Sequence, residues 1–86
     1  DRGEEITISN DKIEIKYFKG GSCVKTILLN KYWAKLEHFN SFNRQSKLMF
    51  SSHGKFSEIG GFLSLKEKQK LAADLEPLLG NGHYNA

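Results

Sequence analysis

Cysteine occurs once in this chain, as Cys23, and proline once, as Pro77. A single cysteine excludes an internal disulfide, so the fold needs no oxidising compartment, and a reduced setting is expected. No apolar run approaches the roughly 20 residues that cross a bilayer, and no stretch reads as a signal peptide. Charge of one sign is also scarce. The net charge of +3 is too small to announce a nucleic-acid partner. The four residues able to bind a soft metal, Cys23, His38, His53 and His83, fall at no zinc-ligand spacing.

What is present suits one small domain over residues 1–86, with residues 1–3 and 80–86 as mobile ends. Hydrophobic residues at 38% suffice for a sheet covered by one helix, and 27% charged residues give an ordinary polar surface. The charge is unevenly placed. Residues 31–55 hold Lys31, Lys35, Arg44, Lys47 and Lys55 against Glu37 alone. Such lysines can simply solvate a sheet and discourage edge pairing. They can also meet an acidic or phosphate-bearing partner. The chain begins with Asp1 rather than Met, which suggests a fragment or a processed chain and leaves room for a membrane segment upstream.

Residues 4–9 alternate, with Ile6 and Ile8 on one face, and residues 12–18 alternate again through Ile13, Ile15 and Tyr17. Asn10 and Asp11 between them predict a hairpin turn. After Gly20-Gly21, residues 22–29 read as a third strand, with Cys23, Ile27 and Leu29 on one side. Residues 30–39 are ambiguous: Tyr32, Trp33, Leu36 and Phe39 fit helical spacing, whereas alternation fits a strand. Residues 46–52 and 55–59 predict two strands around a His53-Gly54 turn, where glycine supplies a positive φ.

Ser64 with Glu67 forms a capping-box signature. It opens a helix whose stripe is Leu65, Leu71, Ala72, Leu75, Leu78 and Leu79, with Lys66, Lys68, Gln69 and Lys70 facing water. Pro77 bends or frays its end beyond Glu76. The expected fold class is therefore α+β: an antiparallel five- or six-stranded meander sheet closed by one C-terminal helix. That is the order of pleckstrin-homology-like domains.

The pattern Leu48-Met49-Phe50, Gly54, Ile59-Gly60, Phe62-Leu63 and then the capped helix through Leu71 and Leu75 resembles a bacterial integral-membrane family, catalogued as domain of unknown function 2244. Glu4-Glu5-Ile6 and the segment Trp33-Ala34-Lys35-Leu36-Glu37 extend the resemblance over most of residues 4–79. It implies two membrane helices ahead of a soluble domain, and those helices are not in this sequence. Gly61 departs from the pattern as a one-residue insertion. The resemblance favours strand over helix for residues 32–37, with one helical turn allowed near residues 30–32.

Little in the chain is arranged for chemistry. Glu4 and Glu5 are strand neighbours and point to opposite faces, so they cannot act on one substrate. Cys23, on a strand of a small sheet, reads as a buried apolar residue. Gly60-Gly61 lies ahead of a helix N-terminus but lacks the lysine of a phosphate loop, and reads as a bend. No catalytic residue, cofactor or metal is expected. The candidate binding surface is Lys31, Tyr32, Trp33, Lys35, Arg44 and Lys47. The expected function is a cytoplasmic, membrane-proximal domain of an anchored protein that binds a membrane-protein partner or an anionic lipid surface. The alternative is a free-standing nucleic-acid-binding module that uses the stretch 31–47.

Overall fold

The alternation of residues 2–30 folds as two hairpins that share a middle strand. The computed structural model describes residues 2–40 and 46–79. Strands β1 (Arg2–Ile8), β2 (Lys12–Lys19) and β3 (Ser22–Asn30) form an antiparallel sheet in the order β1-β2-β3. β1 thus takes in residues 2 and 3, which were expected in a mobile end. The register stacks Ile8, Ile13 and Leu29 in one row and Ile6, Ile15 and Ile27 in the next. These two rows are the core face, and Ile13 and Ile15 are fully buried. A third row, Glu4, Tyr17 and Lys25, continues that face with polar groups.

A bulge changes what β3 presents. The register shifts between Tyr17 and Phe18, so Lys25 opposes Tyr17, Cys23 opposes Phe18, and Val24 is left over. The extra residue moves Cys23 off the core face, and it is exposed rather than buried.

The second sheet contains β4 (Lys35–Asn40), β5 (Ser46–Ser52) and β6 (Lys55–Ile59), in the order β4-β5-β6. Leu36, Phe50 and Ser57 share one row, and His38, Leu48 and Ile59 the next. Leu48, Phe50 and Ile59 are fully buried. The β5–β6 hairpin turns on His53 at φ 53° and Gly54 at φ 81°, two successive positive values whose twist matches that of the strands.

The expected single meander of five or six strands closed by a helix is therefore wrong, and the pleckstrin-homology-like reading goes with it. Two separate three-stranded sheets are present. The cause is local. Tyr32 N donates to Asn30 Oδ1 at 2.8 Å, Trp33 N to Asn30 O at 3.2 Å and Ala34 N to Lys31 O at 3.4 Å. This turn carries the chain off the edge of β3 before β4 begins. The strand expected at 32–37 accordingly starts only at Lys35.

Both sheets and the helix build one core. Its buried members are Ile13 and Ile15, then Leu48, Phe50 and Ile59, then Leu75 and Leu79. Fully burying one such side chain stabilises by about 1.5–3 kcal/mol. β6 runs across the first sheet rather than along it. Gly60, just past its end, donates to Glu4 Oε1 on β1 at 2.8 Å. Glu58 O accepts from Tyr17 Oη on β2 at 2.7 Å. Phe56 shares a cleft with Lys25 and Ile27 on β3.

Helix α1 (Leu65–Leu75) and a 3-10 turn (Glu76–Leu79) form the lid. The expected capping box is complete: Glu67 N donates to Ser64 Oγ at 3.2 Å and Ser64 N to Glu67 Oε1 at 2.9 Å. Gly60 takes φ +63°, where any side chain is strained, and a Cβ there would also make the end of the Leu63 side chain, 2.9 Å away, shift. Three positions depart from expectation: Leu65 and Leu78 of the stripe are exposed, and Lys68 is covered. Lys68 is buried along its stem, and its ammonium donates to Ser46 O at 2.6 Å, tying the lid to β5.

Candidate functional site

The surface expected from residues 31–47 is only partly assembled. Its centre is the turn between β3 and β4, where Lys31 N also donates to Asp11 O at 2.9 Å and anchors the corner to the β1–β2 turn. The corner pushes aromatic rings outward. Tyr32 is 81% exposed and Trp33 60%. The Trp33 ring lies 5.6 Å from that of His53, tilted by 47°, so the β5–β6 turn supports it from the side. His53 was not foreseen as a member of this site. It is the non-glycine residue at positive φ among those described, and that conformation is invisible in a sequence.

Lys35 lies on the face of the second sheet that points away from the core, in a row with Ser51 and Phe56. Lys47 is on the same face but opposes Phe39, four residues further along β4. Glu37, Met49 and Glu58 occupy the row between them. Two carboxylates therefore separate the two lysines, and a continuous basic strip is not formed here. Phe39 and Phe56 meet edge-on across this face, with ring centres 6.1 Å apart. Arg44 lies outside the described residues.

Apolar exposure continues from the corner back along β3. Seven of its nine residues are exposed, and the edge away from β2 has no strand partner among the described residues. Val24 is 62% exposed and Leu28 57%. The bulge and the edge position together produce this surface, and hydrophobic alternation alone could not separate it from a covered strand.

For chemistry, the arrangement offers little. Glu4 and Glu5 do face opposite ways, and Glu4 is occupied by the Gly60 amide. Among the described residues no group of three or more His, Cys, Asp or Glu side chains comes together to hold a metal. His83 lies outside them.

Two antiparallel sheets under a lid helix place the protein in the α+β class. More particularly, the chain belongs to the family described as integral membrane protein (DUF2244), which it matches over residues 1–79. No curated protein and no solved structure matches it. No helix among the described residues is long and apolar enough to cross a membrane.

Proposed function

We propose that this chain is a non-catalytic, membrane-proximal domain on the cytoplasmic side of an anchored protein, and that it works by docking a membrane-protein partner. The observation that carries the reading is the open edge of β3 with Val24 and Leu28 exposed, continued by Tyr32 and Trp33. An unpaired edge offers backbone donors and acceptors to an added strand, and flanking apolar side chains give such pairing its affinity. Clustered exposed apolar groups mark interaction surfaces more often than single ones do.

The position of the corner favours protein over lipid as the partner. Arg2 opposes Lys19 at one end of the first sheet, whereas Lys12 opposes Asn30 at the other. With an anchor preceding β1, Lys31 and Lys35 stand a strand's length from the bilayer, about 20 Å for seven residues. The split of Lys35 from Lys47 by Glu37 and Glu58 likewise weakens the nucleic-acid reading.

The test is photo-crosslinking in native membranes with the probe placed at Leu28 or Trp33, and at Lys70 on the exposed helix face as control. A defined protein adduct from the first two positions and none from the third is expected. Adducts to lipid alone would replace the protein partner by the membrane surface. Equal labelling from all three positions would remove the docking reading.

A further inference from the structure

Where β6 crosses the first sheet, its polar row meets groups from beyond β6 around an open cleft of about 240 Å³. Arg2 and Lys25 bring positive charge to it, and Glu4 and Glu58 bring negative charge. Ordinary ligand pockets run to about 300–1,000 Å³, so only a small molecule fits. No ion pair joins any of the four groups among the described residues. Each cation lies beside an aromatic ring instead: Arg2 is 5.7 Å from the centre of Phe62 and Lys25 is 5.8 Å from that of Tyr17. The cleft thus holds two charges of each sign that do not neutralise one another directly.

Tyr17 orients the negative side. Its hydroxyl spends its proton on Glu58 O, so it can offer a guest only lone pairs. Burial above all, and then the nearby Glu4 and Glu58 carboxylates, push its pKa up to about 12. A cation is welcome at that point. Ile27 and Phe56 add apolar wall sufficient for a short methylene chain.

We propose that this cleft binds a small zwitterion: a primary ammonium joined through a few methylenes to a phosphate or carboxylate. The ammonium sits against Tyr17 Oη and the Glu58 carboxylate, and the anion is held by Arg2 and Lys25. A free solute and a phosphoethanolamine lipid headgroup share this chemistry. The site stands on the cleft alone and is independent of the docking surface on β3.

Phosphoethanolamine titrated into the isotope-labelled protein should give saturable shifts at the amides of Tyr17, Lys25 and Glu58. Inorganic phosphate and ethanolamine, each supplying charge of one sign, should bind at least about tenfold more weakly. Lys25→Gln and Glu58→Gln, both at exposed positions, should each weaken binding by about tenfold without unfolding the chain. Co-sedimentation with phosphatidylethanolamine vesicles, but not with phosphatidylcholine ones that lack N–H donors, identifies the headgroup as ligand. Binding of the soluble compound without vesicle binding identifies a free solute. The proposal is overturned by the absence of saturable shifts at millimolar phosphoethanolamine, by equal binding of inorganic phosphate, or by indifference to both substitutions.

Discussion

β3 and β5 invert the usual relation between composition and burial. β3 carries Cys23, Val24, Ile27, Leu28 and Leu29, yet seven of its nine residues are exposed. β5 carries Ser46, Lys47, Ser51 and Ser52, yet four of its seven are buried. The difference is place, not chemistry. β5 has a strand on each side and the lid helix over one face, whereas β3 has, among the described residues, one neighbour and an open edge. The serines of β5 are tolerated where they find partners, as when Ser51 Oγ donates to Glu37 Oε2 at 2.8 Å. Sheet order thus decides which apolar strand becomes core and which is left to offer surface to something else.

The comparison can be broken most directly at Leu48, where Leu48→Ala should cost about 2–5 kcal/mol in urea unfolding because a cavity replaces a fully buried side chain. Next in size, Ser64→Ala removes the cap and should cost about 1 kcal/mol. It should also speed amide exchange in β5, which the lid covers, more than in β3; equal acceleration in both would mean that the lid does not distinguish them.

The Tyr17 link between the sheets supplies a pH test. Its folded pKa lies above its ordinary 10.0, at about 12, so its contribution is fully present below pH 10 and lost as pH rises towards 12. Wild type should therefore lose more stability than Tyr17→Phe across that interval. Parallel curves would deny the tyrosine this role. The smallest effect is expected for Leu28→Ala, within about 0.5 kcal/mol, since more than half of the residue is already in water. A cost matching that of Leu48→Ala would show that β3 is covered in solution.

Much of the local structure was legible in the chain. The alternation through Ile13 and Ile15, the His53-Gly54 turn and the Ser64–Glu67 cap each depend on neighbours in sequence, and each formed as expected. The division into two sheets did not. Alternation says which way side chains point within a strand, but not whether β3 continues into β4 or parts from it. That was decided by hydrogen bonds in the 31–33 turn, where Asn30 accepts twice. Cys23 was misplaced because one bulge residue reverses the parity of everything beyond it. Lys68 was misplaced because a long stem can be covered while its tip reaches Ser46. Of the candidate site, the exposure of Tyr32 and Trp33 was not legible, since the same aromatics suit a packed core and only the 31–33 turn turns them outward, and the separation of Lys47 from Lys35 emerged only with the β4–β5 register.

The bond between Glu4 and the Gly60 amide joins groups 56 residues apart. Each hairpin can close over a few residues, but this contact encloses 56 of the 86 residues, and the entropy of closure grows with the length enclosed. Loop-closure entropy therefore predicts that it forms in the last stage of folding, once the two sheets have come together. An interaction made that late acts on the way out rather than on the way in. Glu4→Ala, which removes the acceptor, should leave the folding rate nearly unchanged and let the domain come apart faster, making this single side chain a setter of lifetime rather than of speed.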